Sequence, residues 1–235
     1  MLLRLLLSVV FLWSGSLQTP VYTKAEIMGD LDPREHSSFV EVESRYASRG
    51  GMYLRKEVYE AFVRMWEAAR LEGHSMQVVS AMRSQSRQKE IWENKWNRYG
   101  GEHRARAERI LRYSSMPGTS RHHWGTDLDI NNLSNDYFET GAGKELYQWL
   151  SENAADYGFF QPYTGYNKYR DAGYREEKWH WSYYPLAQRF QRAYNHVVSY
   201  DDIRDFKGSE LAEELEVIND YVNGIEVPKD VRRQY

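Results

Sequence analysis

No cysteine occurs in the 235 residues, and that absence narrows what the chain can be more than any other single feature. Disulfides, Cys-ligated zinc, thiolate nucleophiles and a lipidated N-terminal cysteine are excluded together. An apolar core must hold the fold, and any metal must be held by histidine and carboxylate. The length is ample for one packed domain, with room for an appendage but not for a second full domain. Lys+Arg 31 stands against Asp+Glu 34, and no basic stripe interleaves with aromatics, so nucleic acid is not an expected partner.

The first sixteen residues, MLLRLLLSVVFLWSGS, place Arg4 before an apolar stretch from Leu5 to Trp13, with small residues at Ser14 and Ser16. This is the grammar of a signal peptide. The expected organisation is therefore residues 1–16 as signal and 17–235 as one domain, with a C-terminal helical extension from about residue 200. An uncleaved anchor is the alternative, but the apolar run falls short of the roughly 20 residues that span a bilayer. The mature chain is expected to be exported to the periplasm or cell envelope, to act as a monomer and to carry no stable membrane span.

A polar, turn-rich lead-in through Asp32-Pro33 comes first. Then Val58, Phe62, Met65 and Ala69 recur at helical spacing, predicting a helix from about Leu54 to Leu71 that Gly73 ends. Met76 to Met82 reads as a buried strand with Arg83 at its end. Ser86 to about Ser115 reads as two helices split near Tyr99-Gly100-Gly101. Thr126 to Ile130 alternates as a half-exposed strand, and Lys144 to about Tyr157 as a helix. Gly158-Phe159-Phe160 reads as an aromatic loop and Lys178 to Tyr183 as another strand. Helices over about Pro185–His196 and Ser209–Tyr221 close the chain. This order predicts an α+β fold in which helices surround a small, mostly antiparallel sheet.

Zinc catalysis needs three protein ligands, an open fourth position and a nearby base that is not a ligand. His122 lies in a loop leading into the Thr126–Ile130 strand, Asp129 lies on that strand, and His180 follows Glu177 by three residues on another. Spacing alone does not choose between His122 and His123, which are adjacent and point apart. Nor does it choose between Asp127 and Asp129, which share a strand face. Taken singly, each of these has an ordinary structural reading. The aromatic run from Tyr157 to Tyr184 could offer a stacking platform, though core packing accounts for most of it.

Ser120-Arg121-His122-His123-Trp124-Gly125-Thr126-Asp127-Leu128-Asp129 resembles the S-x-H-x-x-G-x-x-x-D motif of the VanY-type D-Ala-D-Ala metallopeptidases, in the lysostaphin and hedgehog superfamily. Glu177-Lys178-Trp179-His180 resembles their E-x-W-H motif. Ser80-Ala81-Met82-Arg83-Ser84-Gln85-Ser86-Arg87-Gln88 resembles the S-x-x-R-S-x-x-x-Q segment that precedes both. The resemblance implies that His122, Asp129 and His180 ligate zinc and that Glu177 is the general base. It implies further that Arg83 steadies the substrate carbonyl as negative charge grows on it, while Ser120, Gln88 and Arg175 line the substrate cleft. For Arg83 the ordinary alternative is a structural salt bridge. Asp127 departs from the pattern, since the family usually carries Ala or Ser there. It could support a histidine ligand or pair with a surface arginine.

The implied activity is zinc-dependent removal of a terminal D-alanine from peptidoglycan stem peptides. An L,D-carboxypeptidase or a peptidoglycan endopeptidase would share the same metal site. A silent zinc-binding module is the remaining rival, and it has no need of a base beside the metal. A wall-binding protein without metal would carry no zinc at all.

Overall fold

The computed structural model describes residues 22–228, so the expected signal segment, residues 1–16, lies outside the described residues. Three short elements lead in: helix α1 (Lys24–Met28) and strands β1 (Phe39–Glu41) and β2 (Tyr53–Arg55), which pair antiparallel. Helix α2 (Lys56–Leu71) follows β2 directly and buries Val58, Ala61, Phe62, Met65 and Ala69 completely. Burying side chains such as Val58, Phe62 and Met65 is worth about 1.5–3 kcal/mol each, and Phe62→Ala would cost roughly 3–5 kcal/mol by leaving a cavity. Gly73 closes the helix at φ +87, a left-handed conformation that side chains resist.

A four-stranded antiparallel sheet carries the centre of the molecule. Its order is β3 (Val78–Ser80), β4 (Asp127–Ile130), β6 (His180–Tyr183) and β5 (Phe159–Phe160). Asp129 pairs with His180 and Asp127 with Ser182 across β4 and β6, so these four polar side chains share one face. The opposite face sends Leu128, Ile130 and Trp181 into a core shared with α2 and with helices α5 (Gly141–Asn153) and α6 (Tyr184–Val197). A second core packs Trp92 and Trp96 of α3 (Gln85–Arg98) and Ile110 and Leu111 of α4 (His103–Leu111) against Phe206, Leu215 and Val217 of the C-terminal segment.

The α+β architecture expected from the sequence is the observed one, but several elements differ. Strand β4 is buried on both faces rather than half-exposed, because the main core covers Leu128 and Ile130 on one side and Arg121, His122 and His180 cover Asp127 and Asp129 on the other. Phe159 and Phe160 form an edge strand on β6 rather than a loop. Strand β3 is shorter than expected, with a bulge between Val78 and Ser80. Beyond it the backbone leaves the sheet: Met82 N–H donates to the Tyr53 carbonyl at 2.9 Å and Arg83 N–H to the His122 carbonyl at 3.2 Å. The expected helix at Ser209–Tyr221 is instead a 3-10 turn at Ser209–Leu211 and a π-type turn at Val217–Val222. Glu216, at φ 49, interrupts it. The buried positions Ala212, Leu215, Val217 and Val222 do not form one 3.6-residue stripe, so packing onto the second core overrides helical propensity.

Candidate functional site

His122 sits on a 3-10 turn, Arg121–Trp124, that surrounding elements clamp from outside. Arg55 of β2 donates from Nε to the Trp124 carbonyl at 2.6 Å, and Trp124 Nε1 donates to the Ile27 carbonyl at 3.1 Å. Gly125 ends the turn at φ +68, and an added Cβ there would lie 2.3 Å from the Phe39 ring. Only glycine fits that position without displacing the hairpin. The turn thus presents His122 to the polar face of β4 and β6 in a fixed pose.

His122, Asp129 and His180 offer ligand atoms that all lie within 4.8 Å of one another, and all three residues are buried. His122 Nε2 and His180 Nδ1 each stand 3.3 Å from Asp129 Oδ1. Two ligands about 2.1 Å from a shared tetrahedral centre would be about 3.4 Å apart, so the spacing fits zinc. The outer ring nitrogens are engaged elsewhere. His122 Nδ1 lies 2.8 Å from the Ala81 carbonyl, and His180 Nε2 lies 2.9 Å from Asp127 Oδ2. A ring N–H directed at each of those oxygens leaves a lone pair on the nitrogen facing Asp129, as a metal ligand requires. His122 Nε2 and Asp129 Oδ1 have no hydrogen-bond partner although both are buried. Such orphaned atoms are rare without a ligand to satisfy them.

Charge in the site is biased toward holding a cation. Burial opposes protonation of His180, yet hydrogen bonds to Asp127, Asp129 and Glu177 outweigh it and raise its pKa well above the ordinary value. The concentration of carboxylates that would retain a proton there also favours a metal ion. Burial alone would raise the Asp129 pKa, but His122 and His180 hold it below the usual carboxylate range. Burial lowers the pKa of His122, and the charge of Arg83 pushes it the same way. Glu177 lies 3.3 Å from His180 Nδ1, and burial raises its pKa above the usual glutamate value. That shift moves a carboxylate toward the range suited to proton transfer near neutral pH.

These residues line a cavity of about 710 Å³ that also takes in Arg83, Ser120 and Lys95. Arg83 Nη2 is 3.9 Å from Asp129 Oδ2, and its Nη1 donates to Gln88 Oε1 at 3.2 Å. Gln88 does not line the cavity. It is fully buried behind Arg83, and its Nε2 donates to the Ser115 carbonyl at 2.7 Å, so it aims the guanidinium. Arg175 is exposed and lies outside the cavity lining. Of the aromatic run, Tyr163, Tyr174 and Trp179 reach the cavity, whereas Phe159 and Phe160 pack in the cores and Tyr166 and Tyr169 stand exposed. His123 points away from His122, Asp129 and His180. Its Nε2 accepts from Gly118 N–H at 3.1 Å and its Nδ1 lies 2.7 Å from the Arg83 carbonyl. Burial pushes its pKa down to about 3, so it is a neutral structural residue.

Asp127 takes the supporting role and also pairs with an arginine, but a buried one. Besides His180, its oxygens accept from Arg121 Nε at 3.1 Å, Thr126 Oγ1 at 2.5 Å and Ser182 Oγ at 2.9 Å. Burial alone would raise its pKa, but Arg121 first and then His180 hold it below the usual carboxylate range. Arg121 and Ser182 were not singled out in the sequence. Ser182 lies two residues from His180 and Asp127 two from Asp129, so strand alternation alone places both on the ligand face. Arg121 carried no such signal.

The profile of the VanY family, described as D-alanyl-D-alanine carboxypeptidase, matches residues 51–186. YodJ of Bacillus subtilis (strain 168) is 35% identical over 137 residues, which cover 56% of this chain and 46% of YodJ. A D-alanyl-D-alanine carboxypeptidase of Enterococcus faecalis (strain V583) is 33% identical over 125 residues, covering 51% of this chain and 44% of that protein. The chain thus spans somewhat under half the length of these two relatives. Among solved structures, the LdcB LD-carboxypeptidase superposes with a TM-score of 0.53 at 26% identity, covering 77% of this chain and 79% of that one.

Proposed function

The chain belongs to the VanY family of D-alanyl-D-alanine carboxypeptidases, and from that premise we propose that it is a zinc carboxypeptidase removing a terminal D-alanine from peptidoglycan stem peptides. The observation that carries this reading is the convergence of His122 Nε2, Asp129 Oδ1 and His180 Nδ1 on one point, two of them without hydrogen-bond partners, beside the buried Glu177. Two imidazoles and one carboxylate with an open side are a catalytic zinc donor set. A zinc ion held by them supplies Lewis acidity toward the scissile carbonyl and the attacking water.

The remaining chemistry belongs to the side chains. Glu177 takes the proton of the attacking water and returns it to the leaving amine, a role its raised pKa suits. Arg83, aimed by Gln88, places fixed positive charge where the carbonyl oxygen becomes negative. Ser120, in the cavity wall, orients the substrate. A peptidoglycan substrate and the signal-like residues 1–16 support a site of action outside the cytoplasmic membrane. No helix among the described residues is long and apolar enough to cross a membrane.

The relation to an LD-carboxypeptidase structure favours one second reading, removal of D-alanine from a tetrapeptide stem. Defined pentapeptide and tetrapeptide muropeptides, incubated with and without chelator and read by mass spectrometry, separate the two. Loss of one alanine from the pentapeptide alone supports the D,D-activity, and loss from the tetrapeptide moves the assignment to the L,D-activity. Absence of any product from either, or from cross-linked dimers, overturns the reading in favour of a binding module.

A further inference from the structure

Helix α3 turns one face toward the metal cavity. Gln88 on that face holds Arg83, and Ile91 and Lys95, at i+3 and i+7 from Gln88, line the cavity itself. Lys95 is only partly exposed, and its ammonium makes no hydrogen bond or ion pair among the described residues. Arg83 Nε, buried in the same wall, also has no partner. The charges in the cavity do not balance these cations. Asp129 and Glu177 offset a divalent ion, Arg121 is paired with Asp127, and Asp136 stands on an exposed rim. Burial, and after it the charge of Arg83, lowers the Lys95 pKa, while Glu177 acts in the opposite direction; an incoming anion would add a countercharge between the two cations.

We propose that Lys95 is a specificity-determining residue, the docking cation for a substrate carboxylate that lies apart from the bond being cut. The proposal rests on the peptidase reading above. A lysine that merely covered apolar surface would lay its stem on the helix and keep its head in open water, whereas this one lines the cavity that holds Glu177 and Arg83, near enough for both charges to act on it. Two carboxylates are within reach. One is the α-carboxylate of the leaving residue, a single residue beyond the scissile carbonyl. The other is a side-chain carboxylate on the acyl side. A rise of 1.5 Å per residue sets the Lys95 α-carbon about 10 Å along the helix from Gln88, and helical side chains lean back toward the N-terminus, so the flexible stem serves either.

The test uses the zinc-loaded Glu177→Gln chain, so that peptides bind without being cut, and titration calorimetry. Three peptides are compared: one ending in D-alanyl-D-alanine with glutamate immediately before that pair, its C-terminal amide, and its glutamine counterpart. Adding Lys95→Met should weaken binding of the first peptide about tenfold or more, the scale of one lost charge-assisted hydrogen bond. Lys95→Arg should restore most of it. The peptide lacking the recognised carboxylate should already bind the Lys95 form about tenfold more weakly and lose nothing further in Lys95→Met. If the amide behaves this way, the terminal carboxylate is read; if the glutamine peptide does, the side-chain one is. Affinities within twofold of the Lys95 form for all three peptides would overturn the proposal. Cleavage by the unsubstituted chain is scored separately. Cleavage with no Lys95 effect removes this inference and leaves the function standing. A Lys95 effect without any cleavage does the reverse, and no binding together with no cleavage removes both.

Discussion

The polar face shared by β4 and β6 divides into a closed half and an open half. In the closed half Asp127 is fully buried, and both of its oxygens are hydrogen-bonded, by Thr126 and Ser182 on one side and Arg121 and His180 on the other. In the open half Asp129 is nearly as buried, at 4% exposure, yet its Oδ1 and the facing His122 Nε2 lack partners. The two aspartates share a strand, a face and a depth. Burial does not separate them; satisfaction does. An unsatisfied buried polar atom costs about 1–3 kcal/mol, a penalty this half of the site carries until a ligand binds. The adjacent histidines repeat the pattern, with both ring nitrogens of His123 engaged and one of His122 left over.

The comparison breaks most completely if the open half is not a metal site. His122→Ala and His180→Ala should each abolish stoichiometric zinc, measured by elemental analysis of purified protein, and activity with it. Retention of zinc by both variants would refute the ligand assignment. Next in size is Glu177→Gln, which keeps shape but cannot accept a proton. Since general acid–base catalysis is worth roughly 10²–10⁴-fold, turnover of a D-alanine-ended peptide should fall at least about a hundredfold with zinc content unchanged. Loss of zinc in this variant would make Glu177 a ligand. Full activity would move the base elsewhere.

Much of the open half was legible in the sequence because its residues lie in two short segments, Ser120–Asp129 and Glu177–His180, joined by a single cross-strand pair, Asp129 with His180. Strand alternation left Asp127 and Asp129 undecided, and the choice of His122, Asp129, His180 and Glu177 came from the resemblance of these segments to the VanY-type motifs. The supports were harder to read, because they come from distant parts of the chain. The Arg55 clamp on the Trp124 carbonyl spans 69 residues, and the Gln88 contact with Ser115 spans 27. Neither leaves a periodic trace. Elements of two or three residues, such as Phe159–Phe160 and the β1–β2 hairpin, are too short for alternation to declare itself. Arg175 shows the opposite failure: it lies two residues from Glu177 in sequence, but its side chain stands exposed outside the cavity lining.

A smaller effect is expected where the two halves meet. His180 Nε2 lies 2.9 Å from Asp127 Oδ2, so the closed half orients a histidine of the open half. Asp127→Asn keeps the volume but weakens that contact and leaves Arg121 without its buried countercharge. Supporting partners of this kind are typically worth 10–100-fold in metal affinity. Competition against a chromophoric chelator should show zinc held about tenfold to a hundredfold less tightly. A change under threefold would mean that the sheet alone orients His180.

The smallest effect on the metal, and the sharpest contrast with His122, belongs to His123→Ala. The neighbouring ring is completely buried, accepts the Gly118 N–H and contacts the Arg83 carbonyl. Removing it leaves two backbone groups unpaired, about 1–3 kcal/mol for each, and opens a void against Gly29, where an added Cβ would lie 2.5 Å from the His123 ring. A destabilisation of about 3 kcal/mol should lower Tm by about 6–12 °C in a domain of this size. Zinc stoichiometry should nevertheless stay near that of the unsubstituted protein, because neither ring nitrogen of His123 faces the three ligands. The Arg83 carbonyl would lose its contact, so a modest fall in turnover with unchanged zinc is consistent with this placement. Loss of zinc at a temperature where the variant is still folded is not: it would mean that the two histidines are coupled through their shared turn.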